Sequence, residues 1–186
     1  MAIRMSKAWL IWVILIIAVL ALVGITLGCS SSNPSDSTPQ PQEALNFTLP
    51  TMTGANITLA ELEGTPVVIN FWATWCGYCR PELPYFEAVA QESGGGIKVI
   101  VIDVGESAST VQKFFGDYEP TMIVALDSNR ETFVNYCQNY DNPRGYIPFT
   151  LFVDGDGLVQ YVKIGAFASE EELWNTLHDV FGITIP

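Results

Sequence analysis

The chain has 186 residues, 49% of them hydrophobic, and carries 8 basic against 20 acidic side chains. That length and apolar content suit one principal domain whose core needs no disulfide staple, which leaves the cysteines free for chemistry. Arg4 and Lys7 precede residue 29 and every acidic residue follows it, so the remainder carries 6 − 20 = −14, a charge that excludes nucleic acid and anionic membrane surfaces as partners.

Residues 8 to 28 form an uncharged apolar run preceded by Arg4 and Lys7, long enough to cross a bilayer as a helix. No basic residue follows until Arg80, so the positive-inside rule places the N-terminus in the cytoplasm and the rest of the chain outside it. Thr26-Leu27-Gly28-Cys29 resembles a bacterial lipobox, imperfectly, because Thr26 stands where Leu is usual and Leu27 where a small residue is usual. Two readings stand: residues 1–28 are an uncleaved membrane anchor, or they are a signal peptide removed ahead of a lipid-bearing Cys29. Residues 29–42, rich in Ser, Pro, Gln and Asn, cannot supply a core and read as a flexible tether. Asn46 and Asn56 match the short glycosylation triplet, which carries little weight beside a lipobox-like feature that points to a bacterium.

The folded domain is expected over residues 43–186. Phe47-Thr48-Leu49 and Asn56-Ile57-Thr58-Leu59 flank Gly54 and predict a short hairpin. Val67-Val68-Ile69-Asn70-Phe71-Trp72 predicts a strand buried on both faces, and Leu83, Phe86, Val89 and Ala90 recur at helical spacing after it. Between them lie Cys76-Gly77-Tyr78-Cys79, at a strand-to-helix junction. Thiolate is the reactive form, and the unsatisfied N–H groups of a helix start favour negative charge, so Cys76 is the expected nucleophile. Cys79 is placed about one turn into the helix, and the two sulfurs can close a Cys76–Cys79 disulfide if the backbone between them is tight, which Gly77 favours.

Farther on, residues 97 to 104 predict a strand parallel to the first, Ser107 to Tyr118 a helix, Met122 to Asp127 a strand, and Arg130 to Gln138 a helix. Phe149 to Val153 and Leu158 to Ile164 predict an antiparallel hairpin around Asp154-Gly155-Asp156-Gly157, and Ser169 a cap for a last helix reaching Phe181. The Asp-Gly-Asp-Gly run lacks the distal Glu of a calcium loop and reads as a turn. A zinc site needs four ligands, and beyond the cysteine pair the soluble part offers only Cys137 and His178, so no metal site is expected. His178 reads as a surface residue. Cys137 reads as a buried inert thiol or as a second resolving thiol.

Asn70-Phe71-Trp72-Ala73-Thr74-Trp75-Cys76-x-x-Cys79-Arg80-x-Glu82-x-Pro84 resembles the active-site signature of the TlpA/ResA-like thiol-disulfide oxidoreductases, extracytoplasmic members of the thioredoxin superfamily. The resemblance runs from about Asn46 to the C-terminal helix. It implies an α/β thioredoxin-like fold, a central mixed sheet flanked by helices with an N-terminal β-hairpin and an inserted helix and strand. It implies that Pro148 is cis, that the Ile147 backbone can pair with an incoming peptide, and that Trp75, Gly77 and Tyr78 line the substrate rim. Glu82 is implied as the base that takes the Cys79 proton, since Asn70 stands where many thioredoxins carry a buried Asp. Expected partners are protein thiols or disulfides, with apocytochrome c as one class, and a membrane electron-carrier protein; no cofactor is required. Two other readings remain: a soft-metal (copper) chaperone, which lacks a nearby His or Met cluster, and a peroxide-reducing redoxin, which would want Pro where Ile69 stands.

Overall fold

The computed structural model describes residues 42–183; the anchor and lipobox expectations, including Cys29, and the tether up to residue 41 lie outside the described residues, whereas Gln42, expected as the end of the tether, is already in a strand. Six strands form one sheet in the order β1 (Gln42–Glu43), β8 (Leu158–Ile164), β7 (Phe149–Val153), β4 (Val67–Trp72), β5 (Lys98–Val104), β6 (Ile123–Asp127). β4 runs parallel to β5, with Val67 opposite Lys98 and Trp72 opposite Asp103, and antiparallel to β7, with Phe71 opposite Phe149. The sheet is therefore mixed, as expected. β2 (Thr48–Pro50) and β3 (Asn56–Thr58) make the separate N-terminal hairpin. The sheet is joined already at Gln42, which pairs with Val159.

Every residue of β4 is buried because helices and loops cover both faces. One face packs Val68, Trp72, Val101, Val124 and Phe152 against α1 (Leu83–Glu92), Val111 of α2 (Ala108–Phe115) and α4 (Glu170–Phe181). The other packs Ile69, Phe71, Ile100, Ile102 and Leu151 against α3 (Glu131–Asn139) and the hairpin residues Phe47 and Leu49. Alternation along β4 thus sends Asn70 and Trp72 to the first face and Phe71 to the second. Ser107 and Ser169 cap α2 and α4 through side-chain oxygens that accept from Thr110 N and Glu172 N.

One local expectation fails. Cys79 does not lie within the helix: residues after Cys76 form successive turns, and regular helix begins only at Leu83. Pro81 and Pro84 explain the delay, since neither has the N–H that would bond back to Gly77 or Arg80.

Candidate active site

At the end of β4 the chain turns sharply, with Cys76 N–H donating to Ala73 O at 3.1 Å. The next turn is closed by Cys79 N–H and Arg80 N–H, both donating to Cys76 O, at 3.2 and 3.3 Å. Cys76 and Cys79 are joined by a disulfide with their Cα atoms 5.3 Å apart. Cys79 is fully buried and Cys76 is 5% exposed, so of the two residues only the first meets solvent. The Cys79 N–H also lies 3.1 Å from Cys76 Sγ, a donor aimed where a thiolate would form in the reduced state. Gly77 has an ordinary φ and open space where a Cβ would stand, so the tight turn does not require glycine there.

Trp75 and Tyr78, which neighbour the cysteine pair in the chain, are 69% and 79% exposed. Ile147–Pro148 is cis, and the Ile147 carbonyl oxygen lies 3.9 Å from Cys76 Sγ. The structure therefore brings together residues of the two segments singled out from sequence. Behind them Asn142, buried, accepts from Tyr146 N–H and donates to Tyr146 O, fixing the loop that leads into Ile147.

Glu82 precedes α1 but does not cap it; its side chain turns inward and is fully buried. Oε1 accepts from Asn70 Nδ2 at 3.1 Å and Oε2 from Phe167 N–H at 2.8 Å. Asn70 also donates to Thr150, its partner in the β4–β7 register, at 2.9 Å. Burial, opposed by those hydrogen bonds, raises the Glu82 carboxyl from 4.5 to about 7. Such a group exchanges a proton near neutrality. Thr150 and Phe167 were not found in the sequence; the signal that could have found the network is Asn70, a polar residue inside an otherwise apolar strand.

Cys137 lies on the other face of the sheet, buried against the Phe71 cluster, and burial pushes its thiol up to about 11. That is the inert reading, and the second-resolving-thiol reading loses its geometric basis. His178 is at the surface, 3.5 Å from Asp179. Asp154 Oδ1 accepts from Asp156 N–H and Leu158 N–H, a plain turn. Among the described residues no group of three or more His, Cys, Asp or Glu side chains could hold a metal ion.

The pattern of the AhpC/TSA family matches residues 41–162. A thiol-disulfide oxidoreductase ResA from Bacillus cereus is 30% identical over 169 residues, covering 90% of this chain and 94% of the relative. ResA from Bacillus subtilis (strain 168) is 29% identical over 174 residues, covering 93% and 90%. Among solved structures, a thiol:disulfide interchange protein of the thioredoxin family from Chlorobium tepidum TLS superposes with a TM-score of 0.65 at 26% identity, covering 76% of this chain and 97% of that one. With the mixed sheet, the cis-Pro loop and the disulfide at the strand-to-helix turn, these similarities establish that the chain belongs to the AhpC/TSA family and is a thioredoxin-fold thiol-disulfide oxidoreductase carrying a Cys76–Cys79 disulfide.

Proposed function

We propose that the protein is a membrane-tethered, extracytoplasmic reductase of protein disulfides, in which Cys76 attacks and Cys79 resolves. The observation that carries the assignment of roles is the asymmetry of the pair: only Cys76 meets solvent, and it lies beside the Ile147 backbone and the exposed Trp75 and Tyr78. In the dithiol state the Cys76 thiolate attacks one sulfur of a substrate disulfide, and the other substrate sulfur leaves as a thiolate that takes a proton from water. The Cys79 thiol then gives its proton to the Glu82 carboxylate and attacks Cys76 Sγ, releasing the second substrate sulfur as a thiolate. The protein is left oxidised and the substrate reduced by two electrons. A dithiol carrier protein in the membrane restores the Cys76–Cys79 dithiol by the reverse exchange.

What supports Glu82 as the proton acceptor is its burial, its raised pKa and its position next to the turn that holds Cys79, whose carbonyl accepts from Glu82 N–H at 3.2 Å. The extracytoplasmic tether is supported by the apolar run at residues 8 to 28 and its Arg4 and Lys7 flank. The family resemblance offers apocytochrome c thiols as the first substrate class to test. The deciding experiment traps a mixed disulfide on a Cys79→Ser variant: substrate linked to Cys76 supports the reading, and a trapped product only with Cys76→Ser overturns it. A Cys29→Ser variant that loses a lipid label selects the lipoprotein form; an unchanged product selects the uncleaved anchor.

A further inference from the structure

Glu106 lies on the loop after β5, outside the Cys76, Cys79 and Glu82 set, yet two hydrogen bonds tie it to the redox turn. Its Oε2 accepts from the Thr74 backbone N–H at 2.6 Å and its Oε1 from the Thr74 hydroxyl at 2.8 Å. A carboxylate that grips both donors of one residue fixes that residue's backbone and its rotamer together. Thr74 stands inside the turn closed by Cys76 N–H onto Ala73 O, so whatever holds Thr74 holds the approach to Cys76.

Glu106 is itself anchored. Its N–H donates to Asp103 Oδ1 at 3.2 Å, and its carbonyl accepts from the Ser128 hydroxyl at 2.8 Å. Gly105, at φ +85°, lets the loop turn where the Arg130 side chain would lie only 3.0 Å from a Cβ. Asp103 is fully buried at the end of β5, opposite Trp72 in the register, and its Oδ2 has no hydrogen-bond partner among the described residues.

We propose that Glu106, braced by Asp103 on the strand beneath, is a positioning residue for the redox exchange, its carboxylate pinning Thr74 and through it the turn that presents the Cys76 sulfur. The proposal rests on Cys76 being the attacking sulfur. Burial and the adjacent Glu106 hold the Asp103 carboxyl well above the ordinary range, so it keeps a proton at neutral pH. A proton on Oδ2 supplies the missing bond toward Glu106 and avoids two facing carboxylate charges. The other charged groups around the pair are Asp127, at the end of β6, which accepts from Thr132 and Phe133 N–H, and Arg130, packed on Gly105.

The test follows iodoacetamide labelling of the reduced full chain across pH, located by peptide mapping, alongside disulfide-exchange kinetics and thermal melting. Glu106→Ala is expected to slow exchange by about tenfold and to change the pH profile of Cys76 labelling, because a displaced turn misplaces the sulfur. Thr74→Val keeps the N–H bond and drops the hydroxyl bond, with a loss of about threefold, and the double variant loses no more than Glu106→Ala alone. In the parent, labelling above neutrality departs from a single titration as Asp103 ionises; Asp103→Asn, whose amide can still donate to Glu106, removes the departure. A folded Glu106→Ala with the parent's rate and profile overturns the proposal, as does a lowered melting temperature with nothing else changed. Should Glu106→Ala not fold, Thr74→Val decides by the same readings. Parent label on Cys79 in place of Cys76 would instead sink the role assigned to Cys76, and this proposal with it.

Discussion

Cys79 and Cys137 are both buried thiol positions, on opposite faces of one sheet, and the difference between their surroundings separates chemistry from packing. On the Cys79 face the core contains polar groups that reach one another: Asn70, Glu82, Thr150 and the Phe167 N–H. On the Cys137 face Phe71 stacks on Phe149 at 5.7 Å and meets Phe133 and Tyr136 at 5.4 and 5.2 Å, and the thiol's polar contact is Asn142 Nδ2 at 3.5 Å. Burial alone raises a thiol's pKa and silences it, as at Cys137. Three residues after Cys79 stands Glu82, whose buried carboxyl is raised to about 7 and accepts from Asn70 and the Phe167 N–H. The two buried positions therefore differ in the polar atoms around the sulfur and not in depth.

The largest expected contrast is between the thiols themselves. Cys76→Ser should reduce disulfide-exchange turnover to background, because no other sulfur in the site is exposed to begin the reaction. Residual turnover carried by Cys137 would break the comparison.

Next comes Glu82. Glu82→Gln should slow release of a trapped mixed disulfide by about a hundredfold at neutral pH and remove its dependence on a group titrating near 7. The same variant tests stability. A carboxyl held at about 7 in the folded state and 4.5 when unfolded is protonated in both states at low pH and costs nothing there. As pH rises from 4.5 through 7 the unfolded chain ionises first, so the folded parent loses up to roughly 3 kcal/mol, and the full deficit stands above pH 7. Denaturant melts of the parent should weaken across that window while those of Glu82→Gln stay flatter. Parallel curves would mean that Glu82 titrates normally.

On the aromatic face the effects should be confined to stability. Tyr136 donates to Leu45 O at 2.5 Å, tying α3 to the segment before the hairpin. Tyr136→Phe is expected to cost about 1 kcal/mol, or about 3 °C in melting temperature, with exchange kinetics unchanged. The smallest effect belongs to Cys137→Ala. Loss of one buried sulfur should cost about 1 kcal/mol or less by chemical denaturation and leave turnover within about twofold of the parent. A larger kinetic effect would show that the two faces communicate.

Most strands and helices, and the Ser169 cap, were legible in the sequence because each is a local pattern; the two-residue β1 was not, and Ser107 was expected as the first residue of its helix where it is the cap. β4 is a β-branched and aromatic run, and Ser169 stands one residue before a helix, where its hydroxyl accepts from the early N–H of Glu172. The cysteine pair was legible for the same reason, as a fixed spacing between a strand and a helix. Even locally the reading was incomplete: Pro81 and Pro84 postpone regular helix to Leu83, and Gly77 turns out to be sterically free. What only the tertiary structure decided is which distant groups share a site. Phe167 N–H meets Glu82 across 85 positions, Thr150 meets Asn70 across 80, and Glu106 grips Thr74 across 32. Those pairings depend on strand order and register, which bring the ends of β4, β5 and β7 together, and a hydrogen bond between remote residues leaves no periodicity in the chain. Sequence alone determined where the thiols are and what scaffold carries them. The choice of which buried face received the Glu82 carboxyl, and which received the aromatic cluster around Cys137, was made by packing.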